Sequence, residues 1–112
     1  MTVYVLNSNQ TVTGQGQTVP MQNQMVGGAV NPPTQTFQVV ATTTSGNVAA
    51  TVQPVGSNDG VHWINLGTAI TLASGASPQT GSVIDNSTYQ YFAANVTVIT
   101  GTGAQVTTLM AV

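Results

Sequence analysis

The chain of 112 residues has no lysine, no arginine and no cysteine, and its only acidic residues are Asp59 and Asp85. An ordinary globular protein carries about a quarter of its residues charged, so most of the usual surface charge is missing. Without Lys or Arg nothing can neutralise phosphates, which argues against nucleic acid as a partner. Without cysteine there is no disulfide framework, no thiolate nucleophile and no cysteine-type zinc site. No stretch approaches the length of a membrane-spanning helix, and no membrane partner is expected. The opening Met1–Asn7 has neither a basic region nor a long apolar core, so no signal peptide is expected. The Asn-X-Ser/Thr triplets at Asn9, Asn86 and Asn95 then read as chance in a Thr-rich chain.

Low charge here does not mean disorder. Hydrophobic residues make up 41% of the chain, whereas disorder goes with low hydrophobicity and high charge. The length suits one domain with one modest core. Polar character comes from Thr, Asn, Gln and Ser, and a formal net charge of −2 gives little self-repulsion between copies. Such a surface suits a molecule docked on neighbours, where desolvating charge would be costly. The alternative is an unusual soluble monomer.

Taken in order, the chain opens with a short strand, Thr2 to Leu6. From Asn7 to Thr36 it turns to Gln, Asn, Thr, Gly and Pro, with Gly14-Gln15-Gly16, Val19-Pro20, Gly27-Gly28 and Asn31-Pro32-Pro33 as breakers. Only short strands such as Gln10–Thr13 or Gln17–Val19 fit there, and residues 7–36 read as an extended arm or wrapping loop. Within it Met21, Met25 and Val26 are candidates for partner contact. The flexible methionines could equally fill gaps on the domain's own flank.

From residue 37 the β pattern becomes dense. Phe37, Val39 and Ala41 alternate with polar positions, and Ser45-Gly46-Asn47 turns the chain into Val48–Val55. Pro54 cannot donate to a ladder, so it marks an edge or a bulge. Further strands are expected at Ala69–Ala73, Ser82–Ile84, Tyr89–Thr100 and Ala104–Val112. On Tyr89–Thr100, Gln90, Phe92, Ala94, Val96 and Val98 form the expected core face. About eight strands with regular turns predict a single all-β domain over 1–112, an antiparallel two-sheet sandwich or jelly roll.

Between Val48–Val55 and Ala69–Ala73 lies Gly56-Ser57-Asn58-Asp59-Gly60-Val61-His62-Trp63-Ile64-Asn65-Leu66-Gly67. Asn58-Asp59-Gly60 reverses an antiparallel pair, because Gly, and often Asn or Asp, accepts positive φ. Trp63, the only tryptophan, is the largest apolar side chain available to pin two sheets together. Asn58, Asp59, Gly60 and Trp63 are therefore read as structural turn and core residues.

Catalysis needs titratable groups within reach of a reacting centre. The candidates are Asp59, Asp85, His62, Tyr4, Tyr89 and Tyr91, with no Arg or Lys to stabilise an oxyanion. No Gly-X-Ser-X-Gly elbow appears, and one His with two carboxylates makes no recognisable metal cluster. Neither an enzyme nor a cofactor is expected.

Val55–Gly60, Trp63–Leu66, Tyr89–Phe92 and Asn95–Val106, in that order, resemble small β-sandwich virion proteins of tailed bacteriophages, over about Val48 to Val112. That resemblance implies a capsid cement or decoration protein. It would be made in the host cytoplasm and carried on the outer capsid surface, bound to the major capsid protein or other virion subunits as a dimer or trimer. Tail, fibre and baseplate modules share the pattern. Ser57-Asn58-Asp59-Gly60-Val61-His62-Trp63 is also similar to the Ser-X-Asp-Gly-X-X-Trp turn of discoidin-like domains, several of which bind glycans. It departs by one residue from the Asp-box of sialidase propellers. These resemblances imply a turn held by Asp59 and Trp63, and a carbohydrate-binding domain as an alternative function.

Overall fold

The computed structural model describes residues 3–20, 25–26, 29–30 and 34–112, the two short middle pieces by backbone alone. Twelve strands and no helix occur among them. They are β1 (Val3–Gln10), β2 (Gly14–Gln15), β3 (Val19–Pro20), β4 (Met25–Val26), β5 (Ala29–Val30), β6 (Gln35–Thr42), β7 (Ser45–Ser57), β8 (Ile64–Asn65), β9 (Ile70–Ala76), β10 (Gln79–Asp85), β11 (Tyr91–Thr102) and β12 (Gln105–Ala111). A four-stranded sheet runs β1-β12-β6-β10. A six-stranded sheet has β11 and β7 at its centre, β2 and β3 flanking β11, and β8 and β9 flanking β7. All pairings among the described residues are antiparallel, and β4 pairs with β5. The protein is an all-β sandwich of about ten strands.

Alternation on each strand makes the core. Phe37, Val39 and Ala41 from β6 and Val106 and Met110 from β12 face Val48, Ala50 and Val52 from β7 and Phe92, Ala94 and Val96 from β11. Phe37 and Phe92 are fully buried and bridge the two sheets. Their side chains are the largest in the core, and Trp63 is outside it. Trp63 is only half-buried and is not part of the buried cluster. The expectation that Trp63 pins the sheets is thus corrected.

Two bulges re-aim side chains. On β11, Val96 pairs with Val52 but Val98 with Thr51, one extra residue against β7. Alternation shifts there, leaving Val98 exposed while Ile99 packs against the core. On β1, Val5 pairs with Leu109 and Asn7 with Thr108, so Leu6 is the extra residue. Both Leu6 and Asn7 are buried in consequence.

Part of the expected arm is built into the sandwich. β1 continues to Gln10, past the expected end at Leu6, and β2 and β3 then add to β11 of the opposite sheet. The Gln17 amide donates to Leu6 O at 2.8 Å and the Gly16 amide to Ala94 O at 3.0 Å. Asn7 Nδ2 donates to Gln10 Oε1 and to Ala94 O, and Val19 joins the core. A polar segment is held here mainly by backbone and amide hydrogen bonds, which hydrophobic patterning does not register. Met21 and the side chains of Met25 and Val26 lie outside the described residues.

Pro54 sits in a central strand, opposite Ala94. Its carbonyl accepts from the Leu66 amide at 2.9 Å. A strand residue's N and O point the same way, so the missing N–H falls on the side of β8 and β9. β9 pairs with β7 only up to Val52 and β8 begins at Val55, so the proline occupies the gap between them.

Candidate functional site

The loop joining β7 to β8 carries the chain's only histidine and tryptophan and one of its two carboxylates. The return strand is just Ile64–Asn65, so residues 58–63 form a six-residue loop rather than a tight hairpin. Two side chains replace the missing ladder. Ser57 Oγ accepts from the Asp59 amide at 3.2 Å and the Gly60 amide at 2.9 Å. Asp59 Oδ1 accepts from the amides of Val61 and His62, each at 2.8 Å, and from Ser57 Oγ at 2.9 Å. Asn58 Oδ1 accepts from the Gln90 amide at 3.1 Å, tying the loop to the start of β11. Gly60 holds φ at +75°, where an L side chain would be strained.

His62 Nδ1 lies 2.8 Å from Asp59 Oδ2, placed to donate when Nδ1 carries the proton. The backbone and ring of His62, then the Val61 amide and the Ser57 hydroxyl, hold the Asp59 carboxyl well below the usual carboxylate range. Ser57, Asp59 and His62 do not form a nucleophile–base–acid relay. That relay places the histidine between serine and carboxylate; here the carboxylate stands between them, and Ser57 is buried. Asp85 accepts from the amide and hydroxyl of Ser87. Among the described residues no group of three His, Cys, Asp or Glu could hold a metal ion.

What the network displays is apolar. Val61 is 71% exposed and Ile64 is 52% exposed, and His62 is exposed between them. Trp63, the last loop residue before β8, is half-buried. Tyr91, also half-buried, pairs with the buried Ser57 across the sheet. Asn58, Asp59 and Gly60 lie in this loop, which is longer than the tight hairpin turn expected there. The display of Val61 and Ile64 was missed, and its signal is two large apolar residues beside a turn already closed by polar side chains.

Comparison with protein-family models, curated proteins and solved structures finds no match.

Proposed function

We propose that the chain is a non-enzymatic structural protein that attaches to other protein subunits. The specific form implied by the sequence resemblance is a capsid decoration protein, oligomeric and bound to the outer shell of a tailed bacteriophage. The observation that carries the reading is the β7–β8 loop. Ser57 and Asp59 fix its backbone, Val61 and Ile64 stand exposed at its surface, and Trp63 is half-buried between them. A pre-ordered apolar tip loses little entropy on docking, and aromatic side chains dominate interface energetics. With no Lys or Arg and only two carboxylates, affinity would come mainly from apolar contact and neutral hydrogen bonds. The test is attachment of Val61→Asp and Ile64→Asp variants to the particle. Loss of attachment with an unchanged thermal melt supports the reading; attachment equal to wild type rejects it.

Carbohydrate binding is the second reading, and the half-buried Trp63 in the loop before the exposed Asn65 favours it. Tyr91 shares a face with Gln53, Asn65 and Asn95, a mixture of ring surface and amide groups suited to sugar hydroxyls and C–H faces. A glycan array probed with wild type and Trp63→Ala tests it. Selective retention that Trp63→Ala abolishes supports this reading; no retention by wild type rejects it.

A further inference from the structure

Asp59 is the chain's only Asp or Asn followed by glycine, and it is exposed in the β7–β8 loop. An Asp-Gly pair is chemically weak in a flexible chain, because glycine has no side chain to shield its own amide. The Gly60 nitrogen can attack the side-chain carboxyl carbon of Asp59. A C–N bond forms, and the carboxyl OH leaves as water with the amide proton. The cyclic imide then reopens by adding water. Addition at the main-chain carbonyl of Asp59 leaves an isoaspartyl link, with an extra methylene in the backbone and no net oxidation or loss of atoms. Asp85, the other carboxylate, is followed by Asn86, whose side chain hinders the same attack.

The geometry points to Asp59-Gly60 as the bond at which this protein ages, held unreactive while the loop's hydrogen bonds are made and isomerising once they are lost. Both reacting groups are engaged in the fold. The Gly60 amide donates to Ser57 Oγ at 2.9 Å. Asp59 Oδ1 accepts from the amides of Val61 and His62 and from the Ser57 hydroxyl, and Oδ2 lies 2.8 Å from His62 Nδ1. Ring closure removes the Gly60 N–H, and with it the bond to Ser57. It also removes one carboxyl oxygen, with every bond that oxygen accepts. The same donors favour the ionised carboxylate, which cannot lose its oxygen as water as the acid can. Once formed, the extra methylene displaces the loop beyond residue 59, including Val61 and Ile64. The side-chain acceptor that holds the amides of Val61 and His62 is lost as well. The consequence for attachment rests on the reading of this loop as the docking surface, whereas the isomerisation itself does not.

The test is prolonged warm incubation of the full chain at neutral pH, with isoaspartate at position 59 measured by peptide mapping. Wild type is followed folded and unfolded in urea, beside Ser57→Ala and His62→Phe. A circular-dichroism melt checks the fold of each variant. His62 is exposed, so His62→Phe keeps the sandwich even where loss of the buried Ser57 hydroxyl does not. Isoaspartate should build up at least about tenfold faster in the unfolded chain than in folded wild type, because only loops that open locally react. Ser57→Ala releases the Gly60 amide and His62→Phe releases Oδ2, so each should fall between those two rates. Acceleration in either folded variant supports the inference, and wild-type rates in both overturn it. Folded wild type that isomerises as fast as the unfolded chain overturns it, as does an unfolded chain that forms no isoaspartate at 59. If the isoaspartyl chain still attaches to particles like fresh protein, the ageing site stands and the reading of the loop as the docking surface falls.

Discussion

The rings of Phe37 and Phe92, one from each sheet, meet with centroids 6.3 Å apart and planes tilted by 51°. This pair joins the two layers of the core, and Trp63 lies outside it. Phe92→Ala should therefore open a cavity and cost about 3–5 kcal/mol. Trp63→Ala should cost about 1 kcal/mol, as for a partly exposed side chain. Denaturant melts of the two variants, with the emission maximum of wild-type Trp63, check this. A blue-shifted emission with equal losses for both variants would return Trp63 to the core.

Residues 7–20 should be indispensable to the fold. They place Leu6 and Asn7 under the β1 bulge, extend the six-stranded sheet with β2 and β3, and bring Val19 into the core. Deleting 7–20 should abolish the cooperative thermal transition. A deletion variant that melts cooperatively near the wild-type temperature would show the segment to be an accessory arm.

The regular strands were legible because alternation alone specifies them. Phe37, Val39 and Ala41 read as one face in the sequence and form one face in the sandwich. The turn at Asn58-Asp59-Gly60 was legible from the chemistry of those three residues. Bulges were not, because an extra residue changes register without changing composition. Val98 continues the apolar alternation of Phe92, Ala94 and Val96, yet the bulge beside it turns it outward and Ile99 inward. Trp63 misled for a different reason. Size makes a side chain valuable in a core, but Trp63 belongs to a loop whose backbone is set by the polar side chains of Ser57 and Asp59. Of the short strands expected within 7–20, Gln10–Thr13 is not one, since β1 ends at Gln10, whereas Gln17–Val19 overlaps β3 at Val19. β2 went unread because its partners are backbone groups far away in sequence.

Asp59 should remain ionised well below the ordinary Asp value of about 3.9. Hydrogen bonds from His62, Val61 and Ser57 favour its charged form. A depressed folded pKa contributes stability above the unfolded value, and that contribution is lost as pH falls through the folded one. The order of the loop should accordingly persist through pH 4 and fade only in stronger acid. The carboxyl carbon shift of Asp59 followed by NMR gives the midpoint directly. A midpoint at the ordinary value would mean that the network does not hold the carboxylate in solution.

Removing the carboxylate should loosen the loop without unfolding the sandwich. In Asp59→Ala the amides of Val61 and His62 lose their shared acceptor, and their hydrogen exchange should accelerate by about tenfold or more. Core amides such as those of Val39 and Val96 should exchange as in wild type. Unchanged protection at Val61 and His62 would show that the loop is ordered by something other than Asp59.

We propose attachment to protein subunits through a surface that bears no lysine or arginine. It is tested most directly by density-gradient sedimentation of virus particles carrying this chain, at low salt and at about 1 M sodium chloride, where the Debye length is roughly 3 Å. With no Lys or Arg available for ion pairs, the chain should travel with the particles at the same copy number in both. Recovery of the chain in the soluble fractions at low salt, or release of most copies by sodium chloride alone, would contradict the account.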